Sequence, residues 1–344
     1  MSRYTITEEL DQPLWDDFVR SAPGATCYHL SAWGSIIRES FGHQTHYLAA
    51  LDGSGEVGGV LPLVHMKSAL FGNFLVSVPF VNYGGLLCGS SAAQQPLLEG
   101  AERVRRLCLA QHVELRHLGL AVKGLPSREH KVTMVLALQG DQQAQWGAFN
   151  AKLRNQVRKA EKSGLRFHMG GVELLDDFYS VFARNMRDLG TPVYGKGFFR
   201  NVLGAFPDST RIAAVVHDGK AIAAGILSRF RDEMEMPWAS SVADYRSLCP
   251  NNLLYWEAIR FAIAKGCTGF DFGRSTPDEG TYNFKKQWGA LPVQLYWQYL
   301  LEEGETLPEL SPKNPKYQAA IRIWKALPVG VTRLLGPGIV RNIP

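Results

Sequence analysis

A chain of 344 residues with 46% hydrophobic and 20% charged residues has an ordinary globular composition. It is long enough for two domains and excludes a disordered or fibrous protein. The net charge of +5 names no partner by itself; five scattered cysteines without a CxxC pair exclude a disulfide framework or zinc site and fit reduced, cytosolic thiols.

The polar, acidic opening MSRYTITEELDQPLW is unlike a signal peptide. A helix is predicted after Asp11, with Pro13 in its first turn and Trp15, Phe18 and Val19 facing inward. Ser31 is placed as the cap of a second helix through Phe41, carrying Trp33, Ile36 and Ile37. His46 to Leu51 and Val57 to Val64 flank an Asp52-Gly53-Ser54-Gly55 turn and read as a hairpin. Residues 68–89 lack charge but hold Gly72, Pro79, Gly84 and Gly85, so they read as strands at 74–81 and a turn, not a membrane span. Pro96 opens a helix with Leu97, Ala101, Val104 and Cys108 on one face; strands follow at Val113 to Leu118 and Lys131 to Leu138.

The second half repeats this plan. HYLAALDGSGEVGGVLPL is echoed by RIAAVVHDGKAIAAGILS, then a strand (Met234 to Ser241), a helix (Asn251 to Ala264) and a strand (Thr268 to Phe272) follow. Repetition over half a chain means two similar α/β domains, each a mixed central sheet flanked by helices. The domains are drawn as 1–150, 151–305 and a basic amphipathic tail at 306–344.

Between the halves, residues 151–169 carry Lys152, Arg154, Arg158, Lys159, Lys162 and Arg166 against one acid, Glu161. Arg154, Arg158 and Lys162 share a helical face, which suits either a solvated linker or phosphate binding. Pro250-Asn251-Asn252 begins a helix whose N-terminus, capped by Asn251 or Asn252, favours a phosphate or carboxylate. The tail holds no acid beyond Glu309 while Lys313, Lys316, Arg322, Lys325, Arg333 and Arg341 are basic. Its helix is expected to end at Pro328 and Gly330, and either to dock on the body or to lie on an anionic membrane.

The densest chemistry lies in residues 266–290, GCTGFDFGRSTPDEGTYNFKKQWGA. Asp271 sits in an apolar run and demands a partner. Gly273 is read as breaking the strand, with Arg274 and two hydroxyls at its end; a loop then interleaves Tyr282, Phe284, Lys285 and Lys286, which suits an anionic ligand. The chain lacks GxxxxGK[ST], HExxH and GxSxG motifs, and its histidines have no ligand spacing, so no metal or cofactor is expected.

Together the duplicated halves, RNQVRKAEKSG, YRSLCPNNLLYWEAI and YNFKKQWGA resemble the Fem family of aminoacyltransferases that build peptidoglycan bridges on paired GNAT-type domains. The FGHxxxYL, PFVNYGG, DFGRSTxxxGTYxFKxQWG and NPKY…GPGIVRN blocks are most similar to an exosortase (PEP-CTERM) and exopolysaccharide-associated branch. The resemblance implies tandem GNAT domains and transfer of an acyl or aminoacyl group to an amine of a cell-envelope or exopolysaccharide precursor. It implies that Lys285, after Phe284, stabilises the transition state, with Asp271 as base or as orienter of Arg274. Tyr83 and Gly84 match the family's substrate segment and Trp33 an early aromatic position; the basic helix and Asn252 would hold phosphates. The donor is aminoacyl-tRNA or acyl-CoA. A CoA-dependent acyltransferase of a polysaccharide and a non-catalytic binding factor are the alternatives. The expected location is cytoplasmic, with a peripheral contact at the inner membrane through the tail.

Overall fold

The computed structural model describes residues 4–69, 71–302, 304–308 and 315–343, with side chains from Gln318 on in the last segment. The chain divides into two compact units. Unit 1 comprises Met1–Val132, Val293–Glu309 and Arg341–Pro344; unit 2 comprises Thr133–Pro292 and Leu310–Val340.

Unit 1 contains β1 (Thr5–Thr7), α1 (Gln12–Ser21), α2 (Ala32–Phe41), β2 (Gln44–Leu51), β3 (Val57–Ser68), β4 (Gly72–Val76), β5 (Leu87–Cys88), α3 (Gln94–Leu107) and β6 (Val113–Leu118). β7 (Ser127–Ala137) starts in this unit, and most of β13 (Leu291–Leu300) returns to it. The strand order is β1-β2-β3-β4-β6-β13, with β5 against β3. Pro13 stands in the first turn of α1 as the sequence predicts. Ser31 precedes α2 but its side chain makes no capping bond; its backbone N–H donates to Asp16 Oδ1 instead, at 2.8 Å. The β2–β3 turn is closed by Asp52 Oδ1, which accepts from the Ser54 and Glu56 N–H groups. The strand expected over 74–81 stops at Val76. Pro79 has no N–H to give a ladder, and Val78 (φ 51°) and Phe80 (φ 72°) on either side adopt left-handed backbone.

Unit 2 contains α4 (Gln142–Ala148), α5 (Ala151–Lys162), β8 (Arg166–Gly170), α6 (Leu175–Leu189), α7 (Lys196–Ala205), β9 (Thr210–His217), β10 (Lys220–Phe230), β11 (Glu233–Ser241), α8 (Pro250–Ala264), β12 (Gly269–Ser275) and α9 (Gly280–Lys286). Its strands run β12-β11-β10-β9-β8. The turn joining β9 to β10 has Asp218 (φ 48°) and Gly219 (φ 74°), the two positive φ values a two-residue hairpin turn requires. Phe178, Phe182, Phe198, Phe199 and Trp238 pack together beneath this sheet, with ring centroids 4.9–5.5 Å apart between neighbours.

The repeat is visible in the topology. In unit 1 an antiparallel hairpin (β2–β3) is followed by β4, antiparallel to β3, then α3, then β6 parallel to β4. In unit 2 the hairpin β9–β10 is followed by β11, antiparallel to β10, then α8, then β12 parallel to β11. In both units the strand that follows the hairpin's helix, β6 after α3 and β12 after α8, thus returns parallel to the strand before that helix.

The tail forms α10 (Pro315–Ala326) and α11 (Val329–Val340), both packed on α6. Helix does not end at Gly330, contrary to the sequence reading. Pro328 closes α10, yet its carbonyl accepts from the N–H groups of Val331 and Thr332 and so starts α11. Among the described residues no helix is long and apolar enough to cross a membrane.

Candidate active site

The sequence-predicted residues fall into three groups, two in unit 2 and one in unit 1. The first surrounds the end of β12. In the parallel register Asp271 lies opposite Glu235 of β11, and both carboxylates are buried. A carboxylate in that position must be hydrogen-bonded. Asp271 Oδ1 accepts from Thr133 Oγ1 at 2.5 Å and from the Gly273 N–H at 2.7 Å. Gly273 does not break the strand; β12 runs on to Ser275 through a φ of 77° at Gly273, an angle Gly supplies without strain.

Residues 280–286 are not a loop but the short helix α9, which brings Lys285 back over the strand end. Lys285 is 7% exposed, and its Nζ donates to the carbonyls of Gly273 (2.7 Å) and Arg274 (2.9 Å). Burial pushes its ammonium down to about 8; Asp271 and Glu235 hold it up, and Arg274 adds to the lowering. The desolvating wall is aromatic. Tyr255 lies 5.0 Å from Phe272 and 5.4 Å from Phe284, and Phe284 lies 6.3 Å from Trp288, between ring centroids. Tyr282 is half-buried on α9, and Lys286 points out to solvent. Arg274 is exposed while its neighbour Ser275 is buried, and Ser275 Oγ and Trp288 Nε1 make no hydrogen bond.

The second group is the basic helix and the start of α8. Leu153, Val157 and Ala160 are the buried face of α5, leaving Arg158 and Lys162 exposed and Arg154 half-buried. The Arg158 guanidinium lies over the Trp146 ring, 5.6 Å from its centroid. Asn251 and Asn252 do not cap α8. The helix already begins at Pro250, the cap position is Cys249 in left-handed backbone (φ 57°), and no side chain closes the terminus. Asn252 is inside the first turn, where its Nδ2 donates to Gln156 Oε1 of α5 at 3.3 Å and ties the two helices. Pro250 has no N–H to give, and the Asn252 and Leu253 N–H groups donate to the Cys249 carbonyl at 3.0 and 3.5 Å, so the terminus offers little beyond the helix dipole.

The third group lies in unit 1. Trp33 is buried, donating Nε1 to the Cys27 carbonyl at 2.9 Å, and packs 5.2 Å from Tyr28. Tyr83 meets Tyr28 edge-on at 5.3 Å. Gly84 has φ 147°, and a Cβ there would come within 3.2 Å of Val78 and Tyr28. Tyr83 and Gly84 border a cavity of about 300 Å³ whose wall includes His29, Leu86, His117 and Ala121. The sequence reading gives neither histidine a site role; His117, one of the His112/His117 pair, reads as a core or surface residue. Burial pushes His29 and His117 each down to about 4, so both are neutral at pH 7. His29 Nε2 meets the Gly85 carbonyl at 3.1 Å, and His117 Nε2 accepts from the Leu86 N–H at 3.1 Å.

Thr133 and Glu235 also escaped the sequence reading. Glu235 had a signal, an acid inside the apolar strand EMEMPW, the same signal that singled out Asp271. Thr133 had none; only the fold brings its hydroxyl to Asp271, 138 residues away.

Residues 147–286 match the Acetyltransf_6 family model, described as an acetyltransferase (GNAT) domain. That span runs from α4 to α9 and includes Asp271, Arg274 and Lys285. The crystal structure of FemX superposes with a TM-score of 0.66 at 16% identity, covering 86% of this chain and 97% of FemX. L-PGS from Bacillus licheniformis gives 0.56 at 12% identity, covering 96% and 98%. A tandem GNAT protein from the clavulanic acid biosynthesis pathway gives 0.56 at 11%, covering 89% and 100%. The fold is a tandem GNAT fold. No curated protein sequence matches the chain. Among the described residues, no cluster of three or more His, Cys, Asp or Glu side chains could hold a metal ion.

Proposed function

We propose that this chain is an acyltransferase of the Fem type, moving an acyl or aminoacyl group from an activated ester or thioester to an amine of a cell-envelope or exopolysaccharide precursor. The observation that carries this reading is the buried Lys285 ammonium at the end of β12, inside the segment that matches the acetyltransferase model. An ammonium has three donors, and Gly273 and Arg274 take two. The third serves the oxyanion that develops when an amine attacks the acyl carbon. In an apolar surrounding such a donor is worth a few kcal/mol in the transition state. The C–N bond forms, the C–O or C–S bond breaks, and the amine's proton leaves with the departing alcohol or thiol.

Asp271 and Glu235 keep the Lys285 ammonium charged against its burial, the support their proximity offers. Arg274 remains at the surface of the site for an anionic substrate group. The donor's phosphates fit the α5 basic face and the start of α8 beside Asn252, and Tyr83 with Gly84, at a cavity within unit 1, is a second place for substrate to bind. The match to an acetyltransferase model favours, as a second reading, a coenzyme A thioester as donor in place of aminoacyl-tRNA.

The test is direct. Purified protein is incubated with extracted precursors and either aminoacyl-tRNA or a panel of acyl-CoA thioesters, and products are read by mass. An acyl-sized mass gain with one donor class assigns it. Absence of turnover with every donor, alongside binding of a precursor, would leave a binding module and sink the enzymatic reading.

A further inference from the structure

Helix α11 has two apolar faces, and only one is covered. Thr332, Gly336 and Val340 recur every fourth residue and are buried; a Cβ on Gly336 would stand 2.8 Å from the Val193 nitrogen, so this face meets its unit backbone to backbone. Val331, Leu334, Leu335, Gly338 and Ile339 follow the i, i+3, i+4, i+7, i+8 spacing of a single stripe. That stripe faces solvent, with Leu334 80% and Leu335 48% exposed. On α10, Ile323 is 66% exposed between the exposed Arg322 and Lys325. Arg333, also exposed, lies over the Tyr179 ring at 5.1 Å. The charge in this region has one sign: residues 310–344 contain six basic side chains and no acid. Of these, Lys313 and the Lys316 side chain lie outside the described residues.

An apolar stripe open to water needs an occupant, and charge selects among the candidates. A second copy of the chain would bring one basic segment against another. An anionic bilayer satisfies both features, burying the leucines below its headgroups while the cations meet lipid phosphates. We infer that the exposed stripe of α11, with Arg333 on the same helix and the exposed Arg322 and Lys325 of the preceding α10, is a docking surface for an anionic lipid bilayer. The helix is 12 residues long, too short to span one, so it lies in the interface plane. This inference is independent of the transfer reaction and stands or falls without it.

The experiment uses the full chain and vesicle flotation. Vesicles of phosphatidylglycerol and phosphatidylcholine should carry the protein upward, and pure phosphatidylcholine should carry little. Leu334→Gln with Leu335→Gln should weaken partitioning by roughly 10-fold or more, with an unchanged melting temperature because both side chains are solvent-exposed. Arg322→Ser with Lys325→Ser should weaken it too and flatten its dependence on salt. Equal flotation of the leucine variant and wild type would overturn the proposal. So would equal partitioning to neutral vesicles, or a dimer that the leucine substitutions dissolve while no vesicle binds.

Discussion

The Lys285 ammonium and the Gly273 carbonyl are joined by a 2.7 Å hydrogen bond, at the residue where β12 takes a φ of 77°. That one residue holds the cation, while its N–H fixes Asp271. The site is a unit in which substitutions act through one another.

Lys285→Ala should lower the single-turnover transfer rate by roughly 10²–10³ with substrate affinity little changed, since the charge it serves appears only in the transition state. Lys286, which is exposed, should tolerate Ala. Thermal melts of both variants control for the two backbone acceptors that Lys285→Ala leaves unpaired. Wild-type transfer by Lys285→Ala, or equal losses in both variants, would remove the assignment.

The pH profile separates catalysis from packing. With its ammonium titrating near 8, Lys285 loses its charge as pH rises through that value, so the transfer rate should fall above about pH 8. Lys285→Arg keeps its charge and should abolish that falling limb even if its rate is lower. A wild-type rate that stays flat to pH 9.5 would exclude the ammonium as the acting group.

Asp271→Asn removes the larger of the two charges that support the ammonium. The falling limb should then move toward lower pH by roughly a unit. A limb that stays in place would mean that Asp271 serves only its bonds to Thr133 and Gly273.

Reversing two charges on α5, Arg154→Glu with Arg158→Glu, should weaken binding of the anionic donor roughly 10-fold or more, because a hydrogen bond to a charged group contributes on the order of 1.5–3 kcal/mol. The buried face of Leu153, Val157 and Ala160 is untouched, so the melting temperature should hold. Titration at two salt concentrations reads the effect. Unchanged affinity would assign the stripe to solvation alone.

His29 and His117 predict acid sensitivity in unit 1. Each is held near 4 in the fold against an ordinary value of 6.5, so between these pH values the unfolded chain binds more protons. Their contribution is complete above pH 6.5 and is lost as pH falls toward 4, on the order of 3 kcal/mol per histidine. Calorimetry from pH 7.5 to 4.5 should show it, and His117→Gln should flatten the curve; an identical curve would refute the assignment.

Much of the fold was legible because its signals are local. The duplicated hairpins announce themselves through Asp52-Gly53 and Asp218-Gly219 between alternating apolar residues. The parallel returns of β6 and β12 follow from a helix between strands. Residues 280–286 were misread because α9 is a single pair of turns, too short for periodicity to speak. Helix α6 was not assigned from the sequence, although LDDFYSVFARNMRDL has an amphipathic pattern whose Leu175, Phe178, Tyr179, Val181 and Phe182 are buried. In the site, Asp271 was recognisable as an acid in an apolar run, but its donors come from Thr133 and the Gly273 backbone, and no short stretch of sequence encodes either.

The return of β13 to unit 1 sets an order for synthesis. Leu295 to Leu300 pair with Leu118 to Val113, almost two hundred residues earlier in the chain. While a ribosome is still making the span between them, β6 has one edge without its partner, a strand edge open to wrong pairings. The strands of unit 2 from β8 to β12 pair over much shorter spans, so that sheet is made before β13, while α10 and α11 reach α6 only later. A nascent chain stalled after Pro292 would carry a complete β12 and an incomplete first sheet.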